Sequence, residues 1–334
     1  MNKIALIVIL TGILLVSCQT RNEKKVGEVP VGVKKSQIEI HRYERAIFSI
    51  PPNDLKTGLS RLDPQYRFFL GNDWQDTMNL LRMYNFVSDK NIRELYDLVI
   101  QKFPDTAQLQ KDLQKAFDKV NQYYPERKLP IVFTYVSGLD IELPVIYADT
   151  VLAISLDVFL GNDVMAYRKA GIPEYKIARF TRDHLLPDCM LAVADSLVKR
   201  NENNQSLLDQ MVATGKALYF LDVILPDVKD EFKIGYPADK LKWCSDNEGN
   251  IWAFLIGNQL LYSSDSQITG KLMVDAPFTS GFVTESPGRI GAWVGWQIVR
   301  AYMKENPTIT LPDLMKNTDA QSILKGSRYK PQKL

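Results

Sequence analysis

Histidine and cysteine are scarce in this 334-residue chain, which contains two histidines and three cysteines. Two histidines cannot supply the ligands of a His-rich metal site. No C-x-x-C pair occurs, and Cys189 and Cys244 stand far apart in the sequence. They are consistent with two separate buried thiols or with one disulfide, and the pattern excludes a zinc finger or a disulfide-rich scaffold.

The motifs of common nucleotide-binding and hydrolytic enzymes are also missing. Neither G-x-S-x-G, G-x-x-x-x-G-K-[ST] nor G-x-G-x-x-G occurs, and nothing in the sequence indicates a small-molecule substrate. Basic and acidic residues nearly balance, with 41 Lys and Arg against 39 Asp and Glu. A nucleic-acid partner is therefore not expected, because such proteins carry an excess of positive charge on one face.

The N-terminus has the features of a bacterial lipoprotein signal. Lys3 precedes an apolar run over residues 4–16, and the sequence Leu-Val-Ser-Cys ends at Cys18. The run is too short for a mature transmembrane helix, so we expect residues 1–18 to act as a signal peptide that is cleaved before Cys18. Acylation of the Cys18 thiol, for example by palmitate, would anchor the chain to a membrane. Gln19 follows in place of the Asp that retains many lipoproteins at the inner membrane, which favours the outer membrane.

The remaining chain is expected to fold as one domain behind a short tether. Residues 19–36 are polar, basic and without hydrophobic periodicity, which is typical of a flexible linker. From residue 37 to 334 no second linker and no internal repeat is visible. Apolar residues recur at helical spacing on both sides of a middle stretch of short β-branched and aromatic runs, which predicts a mostly helical α+β domain with a small sheet. The runs, interpreted as a meander of strands, cover residues 130–136, 143–147 and 151–156.

The stretch RDHLLPDCM, residues 182–190, holds one of the two histidines. On a helix, His184 and Asp188 share one face, where two side chains can bind a metal ion. Zinc metallopeptidases place two histidines at these positions and a glutamate directly after the first, which acts as base on the zinc-bound water. Here Leu185 occupies the position of the base, and Asp188 occupies that of the second ligand. General-base catalysis is therefore not expected.

The third ligand of that arrangement also has only a weak counterpart. Some zincin-like proteins supply it from a Glu-Gly-x-Ala helix, and the matching word here is Thr-Gly-Lys-Ala, beginning at Thr214. Threonine is a poorer zinc ligand than carboxylate or imidazole. Three interpretations remain: ordinary polar helix residues, a weak vestigial metal site at His184, Asp188 and Thr214, or a working hydrolase with an atypical His/Asp site. We expect no cofactor, with zinc as the alternative.

A second candidate site lies in SPGRIGAWVGWQIVRAYM, residues 286–303, where three glycines recur near helical spacing. Small residues allow another backbone to approach closely, which indicates either tight helix packing or a ligand-facing cleft. The cleft, if formed, would use Arg289, Trp293 and Trp296.

Four long phrases carry a resemblance to a known family. They are SLDVFLGNDVMAYRKAGIPEY at residues 155–175, WCSDNEGNIWAFLIGNQLLYSSD at 243–265, APFTSGFVTESPGRIGAWVGWQIVRAYMKENP at 276–307 and SRYKP at 327–331. Together with the lipoprotein start, they resemble the gliding motility-associated lipoprotein GldB family of the Bacteroidetes lineage. That family is distantly similar to zincin-like peptidases.

The resemblance implies an envelope lipoprotein that is associated with a gliding or protein-secretion apparatus, and it implies no catalytic residue. Combined with Leu185 at the position of the base, it favours a pseudoenzyme: a degenerate zincin-like domain that binds other envelope proteins. The alternative is an atypical envelope metallopeptidase or hydrolase.

Overall fold

The computed structural model describes residues 37–148, 150–201 and 205–332. The predicted signal peptide, Cys18 and the tether lie outside the described residues. Contacts between Cα atoms group Gln37–Leu334 into one compact unit. Among the described residues, no helix is both long and apolar enough to cross a membrane.

Helices dominate the first part of the unit, as the hydrophobic spacing predicts. Local signals place several of their ends: the Asp89 carboxylate accepts hydrogen bonds from the backbone N–H groups of Asn91 and Ile92, at 2.8 and 3.1 Å. Such a cap satisfies N–H groups that have no partner within the helix. The predicted helix from Asp89 to Lys102 is confirmed, with Asp89 as its cap. The helices are α1 (Tyr43–Phe48), α2 (Leu55–Leu70), α3 (Thr77–Ser88), α4 (Lys90–Lys102) and α5 (Ala107–Tyr123).

A four-stranded mixed sheet follows, built from β1 (Ile40–Arg42), β2 (Ile131–Tyr135), β3 (Val145–Ala148) and β4 (Val151–Ser155). The strand order is β1-β2-β4-β3, with parallel β1/β2 and β2/β4 pairs and an antiparallel β3/β4 pair. The predicted meander is therefore wrong, because β2 pairs with β4 and not with β3. Burial explains the order: the middle of β4 is fully buried, as is usual for strands inside a parallel sheet, whereas β3 is half-buried at the edge.

The second part of the unit is again helical, which confirms the mostly helical α+β fold class. α8, which contains RDHLLPDCM, contacts β3, α9 and α10. The elements are α6 (Met165–Lys169), α7 (Glu174–Ile177), α8 (Arg182–Leu197), α9 (Leu207–Ile224), α10 (Asp230–Ile234), α11 (Ala238–Asp246), α12 (Glu248–Gly257), α13 (Ser266–Met273), α14 (Ile290–Glu305), α15 (Leu311–Lys316) and α16 (Ala320–Ser327).

Helices α9 and α14 cross at a point where both carry glycine. A Cβ atom on Gly215 would overlap the carbonyl oxygen of Gly295, and a Cβ atom on Gly295 would overlap that of Met211. The two backbones therefore touch, which larger residues would prevent. For Gly295, the close-packing interpretation of the glycine pattern is correct. Cys189 and Cys244 are free and buried, so the described chain contains two separate thiols and no bond between them.

Candidate functional site

His184 lies in the first turn of α8 and is enclosed by its own chain. The residue is 6% exposed. Its Nδ1 atom lies 2.8 Å from the hydroxyl oxygen of Thr181, and its ring packs edge-on against Phe232 with 5.2 Å between the centroids. Burial, reinforced by the positive charge of Arg179, lowers the pKa of His184 to about 4. The imidazole is therefore neutral at neutral pH and is fixed by packing.

Asp188 lies one turn further along α8 and forms an ion pair. Its Oδ1 atom is 3.3 Å from Nη2 of Arg179, and the two side chains are 15% and 23% exposed. Burial raises the pKa of Asp188, while the charges of Arg179 and Arg289 act in the opposite direction. Arg179 thus supplies the counter-charge that a metal ion would have supplied to this carboxylate.

Asp188 lines a cavity of about 340 Å³, which we name the Asp188 cavity. Its described lining combines charged side chains of both signs with apolar side chains. Lys176 forms a 2.6 Å ion pair with Glu142 across part of the rim. The charged lining residues are Glu142, Lys176, Arg179, Asp188, Asp195 and Asp275.

Arg289 lies beside this cavity, at the start of α14, and has a left-handed backbone conformation with φ of 44°. Its guanidinium group donates to the carbonyl oxygen of Ile234, and its Nε atom lies 3.6 Å from Oδ1 of Asp275. It also lies over the ring of Tyr236, 5.8 Å from the centroid. Burial, followed by the nearby Arg179, lowers the pKa of Arg289. Asp275 is therefore the carboxylate that pairs with this arginine.

The two tryptophans of the predicted cleft differ from Arg289 in their surroundings. Trp293 and Trp296 are 3% and 0% exposed and belong to the hydrophobic core. The indole N–H of Trp296 donates to Asp222 at 2.9 Å, and the guanidinium of Arg300 stacks 3.7 Å from its ring centroid. The structure thus places Arg289 in a polar cluster and both tryptophans in the interior.

Thr214 lies on α9 and lines a second cavity, of about 420 Å³, which we name the Thr214 cavity. Asp188 does not line it, and Thr214 does not line the Asp188 cavity. Over the described ranges, no group of three or more His, Cys, Asp or Glu side chains is placed to hold a metal ion. The three candidate ligands are therefore one neutral histidine, one carboxylate already paired with arginine, and one hydroxyl in a different cavity.

Sequence reasoning missed the residues that define these surroundings. Arg179 precedes α8 by three residues and could have been noticed as a charge close to the His/Asp pair. Asp275 and Phe232 lie far away in the sequence, and no local signal connects them to α8. The burial of Lys216 was also missed, because a lysine is expected to point to solvent.

The fold and the site define a mostly helical α+β protein whose His/Asp helix face is occupied by contacts with its own chain. The family model of gliding motility protein GldB matches residues 20–331. The chain therefore belongs to the GldB family, which confirms the resemblance and associates the protein with gliding motility. No curated protein and no solved structure matches the chain.

Proposed function

We propose that this chain is a lipid-anchored protein of the outer membrane that serves the gliding or secretion apparatus by binding other envelope proteins, without catalysis. Membership in the GldB family over residues 20–331 supports the link to gliding. The signal that ends at Cys18, followed by Gln19, supports a lipid anchor in the outer membrane.

The state of the α8 face is the observation that carries the non-catalytic proposal. Leu185, at the position of the base, is 3% exposed and belongs to the core. Asp188, at the position of the second ligand, is bound by Arg179. A base must reach the proton that it removes, and a leucine cannot accept one. These features favour a domain whose α8 face does not catalyse hydrolysis.

Exposed apolar side chains support a role in protein contacts. Five large ones occur between residues 256 and 283, a segment that contains the end of α12, a short 3-10 helix (Leu260–Tyr262) and α13. Exposed apolar side chains that form one contiguous patch mark interaction sites, and we propose this segment for partner contacts on that basis. They are Ile256, Tyr262, Val274, Phe278 and Val283.

A metal and partner assay on the full-length protein in detergent tests the proposal. The protein is incubated with zinc, passed through a desalting column and analysed for bound metal, and its partners are captured by cross-linking in envelopes. His184→Asn serves as the comparison, because the Asn side chain retains a polar atom near the position of Nδ1 for Thr181.

We expect less than stoichiometric zinc and the same cross-linked partners for both proteins. One zinc ion per chain, lost in His184→Asn together with a peptidase activity, would contradict the proposal and favour the atypical hydrolase. Failure of both proteins to cross-link to any envelope protein would contradict the binding role itself.

A further inference from the structure

The Thr214 cavity contains a buried positive charge that the proposed function does not use. Lys216, two residues after Thr214 on α9, is 2% exposed. Its Nζ atom donates to three backbone carbonyl oxygens: those of Lys199 at 3.1 Å, Met315 at 3.5 Å and Asn317 at 2.8 Å. These acceptors satisfy its hydrogen bonds but carry no full negative charge to neutralise it.

Two further cations stand at the opening of the same cavity. Lys199 and Arg200 are exposed and directly follow the end of α8. Arg200 is paired with Asp195 at 3.0 Å, but both side chains are about half exposed, at 46% and 52%, so an anion could displace this contact at small cost. Asp209 is the one acidic side chain among the described lining residues, and it is engaged by the backbone N–H of Ser206 at 3.0 Å. The described lining therefore has an excess of positive charge.

Burial, with a smaller contribution from Arg200, lowers the pKa of Lys216 to about 8. A charge that is buried without a counter-ion costs free energy, and an anion in the cavity would offset that cost. The field of Lys216 thus favours anions in the space that Lys199 and Arg200 border.

The rest of the lining suits hydroxyl groups. Six of the described lining residues carry amides or hydroxyls, which can donate and accept hydrogen bonds, and the apolar lining residues are Val212, Ala213, Met273, Val274 and Ala320. A volume of about 420 Å³ is within the range of small-ligand sites. The neutral polar lining residues are Asn201, Gln205, Gln210, Thr214, Asn317 and Thr318.

We propose that the Thr214 cavity is a binding site for an anionic sugar, with the carboxylate or phosphate between Lys199 and Arg200 and the hydroxyl groups against the amides and Thr214. The proposal stands apart from the gliding role, because it rests on the lining of this cavity alone.

Titration calorimetry on the full-length protein in detergent tests the site, with glucuronate, glucose 6-phosphate, glucose and inorganic phosphate as probes. We expect at least one of the two anionic sugars to bind at least about tenfold more tightly than glucose and than phosphate. Lys199→Gln/Arg200→Gln should weaken that sugar by about tenfold or more, because two charge-assisted hydrogen bonds are lost. Thr214→Val, which removes one hydroxyl at similar volume, should weaken it by a few-fold.

The matched control is Lys111→Gln/Lys115→Gln, which removes two exposed cations from α5 and causes the same change in net charge. This control should bind like the unaltered protein. The proposal is overturned if neither anionic sugar binds, if glucose or phosphate binds as tightly, or if the control weakens binding as much as the rim variant does.

Discussion

Asp188 and Arg179 form an ion pair, with 3.3 Å between Oδ1 and Nη2, on the helix face that the sequence offers as a vestigial metal site. Arg289 adds a further positive charge that acts on the same carboxylate. Asp188 therefore pairs with Arg179 and also lies in the field of Arg289, whose own pKa is lowered by burial and then by the charge of Arg179. The structure assigns Asp188 a definite partner within the chain.

Removal of the Asp188 charge should destabilise the protein strongly. Asp188→Asn leaves Arg179 without its paired carboxylate and close to the charge of Arg289, and breaking a largely buried ion pair on one side costs about 3 kcal/mol. Urea unfolding of the full-length protein measures the loss. The control is Glu94→Gln, whose partner Lys90 is 3.8 Å away, with side chains that are 88% exposed for Lys90 and 60% for Glu94. It should change the stability by about 0.5 kcal/mol or less. Equal effects of the two variants would show that the Asp188 pair is not energetically distinct.

His184 should make the protein less stable in acid. Its pKa is about 4 in the folded chain and 6.5 in the reference state, so between these values the unfolded chain binds a proton that the folded chain does not. The free energy of unfolding therefore falls as the pH drops from 6.5 towards 4, by up to about 3 kcal/mol from this residue. Above pH 6.5 the contribution is constant.

His184→Asn isolates this effect. Unfolding curves at pH 7.5 and 4.5 should show a larger loss of stability in the unaltered protein than in the variant. Parallel losses in both proteins would mean that His184 does not have a depressed pKa in the folded state.

The contact between α9 and α14 should not tolerate one added methyl group. Gly295→Ala forces a Cβ atom into the Met211 carbonyl of α9, and backbone cannot move aside as a flexible side chain would. We expect a loss of at least about 3 kcal/mol in urea unfolding. Gly270→Ala is the matched control, because Gly270 lies within α13 with no atom within 4 Å of an added Cβ. It should be neutral or stabilising by up to about 1 kcal/mol. Similar tolerance at both glycines would contradict the close crossing.

The buried thiols should be unreactive in the folded protein. Burial raises the pKa of both Cys189 and Cys244, which suppresses the reactive thiolate. If the proposed lipid blocks Cys18, protein purified from envelopes should show no reaction with a thiol reagent until it is unfolded, and then two reactive thiols per chain. A rapid reaction in the native state would place one of these cysteines at an accessible site.

Local signals predicted much of the helical framework. Asp89 marks the start of α4, because capping depends only on neighbouring residues. The strand order was not predictable in the same way. β2 and β4 are neighbours in the sheet although β3 lies between them in the sequence, and such pairing depends on the burial of whole sheet faces. The fold class therefore follows from the sequence, whereas the sheet topology does not.

For the candidate site, sequence reasoning located the helix but not its surroundings. His184 and Asp188 do lie on α8, four residues apart. The distant residues Phe232 and Asp275 are brought to this region by the packing of α10 and of the segment after α13, which no local pattern encodes. Thr214, the weak candidate for a third ligand of a vestigial site, lines a different cavity from Asp188. The degenerate zincin-like relationship stays a prediction.

The most direct test of a non-catalytic, membrane-anchored role is the surface movement of a gliding host. The chromosomal gene for this chain is replaced by a gene for His184→Asn or for Cys18→Ser, and the abundance of each variant is measured by immunoblot. A non-catalytic, anchored role predicts that cells with His184→Asn glide as the unaltered cells do, and that cells with Cys18→Ser lose movement because the lipid anchor cannot form. Normal abundance of His184→Asn together with loss of gliding would contradict it.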